Sequence, residues 1–216
     1  MVQGYLESKF NPTMSEGGML LSEQISLEQE VKSYFRDRGT DFEDHSRAFD
    51  KLDFTILQDG EPVFHFEVKE KCQHYAMSNW PNFAPEEHLF IFDELTIRKC
   101  LAQSPNSGVI VRVQHTGDYY FFSVIDLALM PRLRVQRHIH RKVHNVKGKW
   151  LVDLRNGRHA RSLDECLEHS RNYYRSLDHI LFEQKGIYGD YVGEQIEKGG
   201  IVRQPEHWDE DVRKTR

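Results

Sequence analysis

The sequence predicts one α/β domain built on a mixed sheet, and three observations carry that prediction. A chain of 216 residues is about one domain with embellishments. Its 38% hydrophobic and 29% charged residues, with 13 Phe, 9 Tyr and 3 Trp, are enough to bury a real core and exclude wholesale disorder or a fibrous repeat. Hydrophobic periodicity then switches along the chain in the order helix, hairpin, helix, hairpin, strand, helix.

Residues 1–20 lack periodicity and read as an N-terminal tail or arm. Ser26 followed by Gln29 makes a capping-box start, and Leu27, Val31, Tyr34 and Phe35 recur at helical spacing until Gly39, which predicts a helix over about 26–38. Strand-like runs at 52–57 and 62–69 flank Gln58-Asp59-Gly60-Glu61, a strong hairpin signal. A polar, aromatic-bearing loop (73–87) precedes a helix over about 93–103, which Ser104-Pro105-Asn106 ends. Runs 108–114 and 119–125 form a second hairpin over His115-Thr116-Gly117-Asp118. A strand at 149–154 turns at Asn156-Gly157, and Ser162 opens a helix to about residue 174. These boundaries give a tail (1–20), a domain (21–180) and a C-terminal extension (181–216).

No apolar window approaches 18 residues, and the start has no basic then apolar leader pattern, so neither a membrane span nor secretion is expected. Cys72, Cys100 and Cys166 are odd in number and far apart, offering neither a disulfide framework nor paired metal spacing. A reducing, cytoplasmic setting is the simplest expectation.

The charge of -5 argues weakly against a nucleic-acid partner, but its distribution reverses the argument. Residues 1–70 hold 15 Asp and Glu against 7 Lys and Arg, whereas 127–152 holds no acid. That window carries Arg132, Arg134, Arg137, Arg141, Lys142, Lys147 and Lys149, with His138, His140 and His144 among them. It is the footprint expected where phosphates are neutralised, as the acidic half suits a divalent cation. The bland reading is a solvated strand and loop.

In Val63-Phe64-His65-Phe66-Glu67-Val68-Lys69, alternation sends Phe64, Phe66 and Val68 to one face and His65, Glu67 and Lys69 to the other. Asp53 is the natural second carboxylate, and hairpin parity decides whether it joins them. A two-residue type I′ turn pairs Asp53 with Phe66, on the wrong face. A three-residue loop with Gly60 in a G1 bulge pairs it with His65, diagonal to Glu67, and is the predicted arrangement.

With Leu52-Asp53 in place of Pro-Asp, a turn, and Glu67-Val68-Lys69 ending an apolar strand, residues 26–125 resemble the PD-(D/E)XK nuclease superfamily. The resemblance implies a restriction-endonuclease-like core in αβββαβ order, followed here by a strand and helix. It implies Mg²⁺ (Mn²⁺ as a substitute) held by Asp53, Glu67 and the Val68 carbonyl, with Lys69 orienting or helping to deprotonate the attacking water. The chemistry is sound, since hard carboxylate oxygens suit Mg²⁺ and a nearby cation adds to its stabilisation of phosphoryl charge. Families of this kind often add an acid from the first helix: Glu28 is the first choice, Glu30 the fallback. The expected function is metal-dependent cleavage of nucleic acid, DNA favoured, by an endonuclease that needs two copies to cut two strands. The alternative is a non-catalytic nucleic-acid-binding or assembly module, and a third reading makes Glu67 and Lys69 a structural ion pair.

Other candidates weigh less. Gln73 could meet phosphate and His65 could support the site, although solvent-facing or cross-strand roles are more common. Tyr75 and Trp80 could stack on an unpaired base, but packing is the blander reading. His138, His140 and His144 lack a Cys or carboxylate to complete a zinc site. Gly186-Ile187-Tyr188 and Tyr191-Val192-Gly193 lie too close together for a GIY-YIG signature. Walker, G-x-S-x-G and H-E-x-x-H motifs are missing.

Overall fold

The computed structural model describes residues 25–140, 143–177, 191–192, 195–196 and 202–203, with only the backbone for 138–140, 143–145, 195–196 and 202–203. The tail at 1–20, most of the extension at 181–216, and Arg141 and Lys142 therefore lie outside the described residues. Among the described residues, no helix is long and apolar enough to cross a membrane.

Helix α1 (Leu27–Asp37) starts at the predicted capping box, Ser26 and Gln29 each bonding the other's backbone. Its apolar stripe, Leu27, Val31 and Phe35, is buried. Strands β1 (Phe42–Asp44), β2 (Phe54–Gln58) and β3 (Glu61–Lys71) form an antiparallel run, and β5 (Ser107–Val113) lies parallel to β3. Strands β6 (Asp118–Ser123) and β9 (Arg158–Ala160) complete a mixed sheet of order β1-β2-β3-β5-β6-β9 among the described residues. A second sheet joins β4 (Leu89–Asp93), β8 (Val143–Asp153) and β7 (Arg132–His140), all antiparallel. Helix α2 (Glu94–Ala102) crosses from β4 back to β5. Helix α3 (Val124–Leu129) follows β6, and α4 (Leu163–Arg175) closes the domain. The two-residue strands β10 (Gln195–Ile196) and β11 (Val202–Arg203) pair with each other.

The mixed sheet thus has a core on each face. On one side α1 and α4 cover Phe54, Phe64, Phe66 and Val68, with the Phe35 ring 5.7 Å from that of Phe66. On the other, α2, α3 and the second sheet cover Val109, Val111 and Phe122. The α/β class and mixed sheet flanked by helices follow the sequence reading, but several elements differ from it. Strands β1, β4 and β7 escape prediction, and 149–154 is only the end of the eleven-residue β8. The run at 119–125 breaks at Ser123, where a capping box with Asp126 starts α3 instead.

The hairpin corrects the register. Asp59 and Gly60 both have positive φ, 53° and 82°, so the turn is the two-residue kind and not the predicted three-residue loop. A bulge follows: Leu57 pairs with Pro62 but Ile56 with Phe64, leaving Val63 extra. That added residue restores the parity, and Phe54 opposite Phe66 sets Asp53 level with Glu67 rather than His65.

Candidate active site

Three consecutive outward positions of β3, Glu67, Lys69 and Lys71, face away from α1. Beside them β2 begins only at Phe54, so the edge of β3 beyond Phe66 has no antiparallel partner. Asp53 fills the gap: its Oδ2 accepts the Val68 N–H at 2.9 Å. Backbone N–H and C=O of one strand residue project to the same edge, so the Val68 carbonyl lies on the Asp53 side as well.

Lys69 Nζ sits 2.8 Å from Glu67 Oε1 and 3.8 Å from Asp53 Oδ2. A second lysine, Lys99 of α2, donates to Glu67 Oε2 at 2.7 Å and to the Lys51 carbonyl at 2.7 Å, while the Thr96 hydroxyl donates to Glu67 Oε1. Both carboxylates are buried, Asp53 at 6% and Glu67 at 3% exposure. Burial, reinforced by the Glu67 charge, raises the Asp53 pKa against the pull of Lys69 and the Val68 N–H. Burial lowers that of Lys69, but the Glu67 and Asp53 carboxylates outweigh it and the net shift is upward. Lys69 is therefore an ammonium at neutral pH, a hydrogen-bond donor rather than a ready base.

Glu67 and Lys69 form part of the floor of a cleft of about 550 Å³. Loop 45–51 makes one wall with Ser46, Arg47 and Phe49; α2 contributes Glu94 and Lys99; β8 closes the far side with Val146, Lys147 and Gly148. Gly148 lies against the Glu94 side chain: a Cβ there would stand 1.8 Å from Glu94 Oε2 and would push that carboxylate aside. Among the described residues lining the cleft, five cations face three carboxylates. Those carboxylates are each neutralised: Glu67 by Lys69 and Lys99, Asp93 by Lys149, Glu94 by Arg98 and Arg134. Arg47 and Lys147 are exposed and have no carboxylate partner among the described residues.

The other sequence candidates divide sharply. The Glu28 charge adds, after those of Glu67 and Asp53, to the raised pKa of Lys69. Glu30 instead binds Arg112 at 2.6 Å and the Tyr119 hydroxyl at 2.7 Å. His65 bonds Thr55 and opens onto a neighbouring cleft; Gln73 is exposed outside the main one. Tyr75 and Trp80 pack edge to face beneath the second sheet, with Arg137 4.4 Å over the Trp80 ring. Within the basic window, Arg132 caps carbonyls of α3 and lies over Trp150, while Arg134 and Lys149 pair with Glu94 and Asp93. Among the described basic residues of that window, Lys147 lines the cleft, while Lys149 and Arg134 hold the Asp93 and Glu94 that line it.

Lys99, Thr96, Arg47 and Phe49 were not anticipated. Thr96 and Lys99 stand three apart on one face of α2, a spacing visible in the sequence, but nothing local says that this face meets Glu67.

Two buried carboxylates and a backbone carbonyl on one edge suit Mg²⁺, which takes one or two carboxylates and keeps several waters. Among the described residues, no group of three or more His, Cys, Asp and Glu side chains that could hold a metal ion is drawn together. Comparison with protein-family models gives no match, and comparison with curated proteins gives none either.

Proposed function

We propose that this chain is a divalent-metal-dependent nuclease that hydrolyses phosphodiester bonds, with DNA as its substrate and cleavage within the strand. One observation carries the reading: Lys69 meets both the Glu67 and the Asp53 carboxylates, and Glu67 and Lys69 line a cleft whose lining is net cationic, in a chain whose overall charge is -5. The order α1, β1, β2, β3, α2, β5, with β3 parallel to β5, supports the restriction-endonuclease-like core that the resemblance implies; β4 is inserted before α2.

Asp53, Glu67 and the Val68 carbonyl would hold Mg²⁺. Bound there, the ion supplies Lewis acidity, acidifying water and offsetting phosphate charge. The protein's own part is electrostatic and positional. Lys69, held as an ammonium, donates to water or to a phosphoryl oxygen at the Glu67 edge and stabilises charge that grows there. Arg47 and Lys147, on opposite walls, grip the backbone phosphates, and Glu28 adds a smaller negative charge to those of Glu67 and Asp53 that keep Lys69 protonated.

The second reading, a binding module without turnover, draws on one observation: Glu67 is already satisfied by two lysines and Thr96. The deciding experiment incubates the protein with labelled duplex, single-stranded and branched DNA and RNA, with Mg²⁺, Mn²⁺ or EDTA, beside Lys69→Ala. The nuclease reading expects metal-dependent cutting that falls at least about 10²-fold in the variant while binding persists. Salt-sensitive binding by the wild type with no cutting in any metal would overturn it in favour of the module.

A further inference from the structure

Phe49 is 80% exposed, and Val146 and Leu95, at 44% and 39%, are exposed in the same cleft. A single exposed apolar side chain needs no explanation, but three lining one cationic cleft do. Phe49 is also on a tethered loop. The His45 N–H bonds the Asp53 carbonyl at 2.8 Å, Ala48 N–H bonds the His45 carbonyl at 2.7 Å, and Lys99 holds the Lys51 carbonyl. Ser46, two residues before Ala48, is fixed by Asp44 and Lys32. The aromatic ring is thus presented to solvent by backbone that the site itself anchors, and Arg47 lies two residues away.

Resting on the nuclease reading, we infer that the cleft takes an unpaired nucleotide, its base stacked on Phe49 and its flanking phosphates against Arg47 and Lys147. The chemistry is that of single-strand recognition, in which aromatic faces accept any base and neighbouring cations track the backbone. A duplex offers no free base face to Phe49, so the substrate this assigns is a single strand or a loop, flap or junction with unpaired residues. Tyr75 and Trp80, the aromatics nearer in sequence to Lys69, are already packed and cannot serve.

The test measures binding of 2-aminopurine-labelled single-stranded DNA and of the matching duplex, in Ca²⁺ to prevent cutting, for the wild type, Phe49→Ala and Phe49→Trp. Since the ring is exposed, neither variant threatens folding. The expected result is a loss on the order of tenfold in single-strand affinity in Phe49→Ala, recovery in Phe49→Trp, and little change on duplex. Equal effects on both substrates, or none on either, overturn the inference. Lys69-dependent cutting of duplex would then show the nuclease reading still standing, whereas a wild type that neither binds nor cuts nucleic acid removes both.

Discussion

Lys69 and Lys71 lie two residues apart on the same face of one strand, and each meets a glutamate, yet they belong to different kinds of site. Lys71 is fully covered: its side chain is 0% exposed, pairs with Glu86 at 2.9 Å, donates to the Glu86 carbonyl and lies 5.0 Å from the centre of the Tyr75 ring. Lys69 keeps 33% of its side chain exposed and looks into the cleft. What separates them is the segment 73–88, which folds over Lys71 and stops short of Lys69. An ion pair whose cation is fully covered can only stabilise or specify the fold; one whose cation is left open on a cationic cleft can act on something that enters.

Breaking each pair should therefore fail in opposite ways. Lys69→Ala should remove cleavage while circular dichroism and thermal unfolding stay near the wild type. Glu86→Gln should do the reverse, lowering the unfolding free energy by roughly 3 kcal/mol because the Lys71 charge is left buried without its counter-ion. Cleavage per folded molecule should hold. If Glu86→Gln abolished cutting at a temperature where it is folded, the division between the two lysines would collapse.

Lys99 sharpens the comparison at smaller scale. Lys99→Met removes one of the two cations competing for Glu67, and the half-saturating Mg²⁺ concentration should fall by about threefold, the size expected of a modest ion pair. A rise, read by titration calorimetry, would instead make Lys99 the residue that orients Glu67.

Acidity separates the two regions most gently. Burial pulls the Glu86 pKa up, but hydrogen bonds from His74, the Tyr75 N–H and Lys71 outweigh it and hold the group at about 2, against an ordinary 4.5. Its contribution to stability is complete above about 4.5 and is lost as pH falls toward 2. Denaturant midpoints measured across that window should decline in the wild type, with a shallower decline in Glu86→Gln.

Much of the site was legible because local rules govern it. Strand alternation alone puts Glu67 and Lys69 on one side and Phe64 and Phe66 on the other, and the capping box at Ser26 sets the phase of α1, hence which face carries Glu28. The hairpin was legible only in part. Asp59-Gly60 marks the turn and Pro62 suits a strand start, an edge or a bulge, but neither says that Val63 is the extra residue, and it takes the neighbouring strands to hold an unpaired residue in place. The basic window misled by count: its charge is real, but Arg132 is spent on nearby carbonyls at the end of α3, and Arg134 and Lys149 on the Glu94 and Asp93 carboxylates, which lie far away in the chain.

The sequence by itself determined the α/β class, the outward set of β3 and the pairing of a carboxylate with a lysine two residues on, since each depends on periodicities of two or 3.6 that side-chain burial enforces locally. Tertiary structure alone decided that Asp53 stands level with Glu67, that Lys99 reaches it from α2, and that Lys71 is sealed while Lys69 is open. Those outcomes depend on which surfaces meet across 15 to 32 residues of chain, and close packing of the two cores, not any local preference, chooses them.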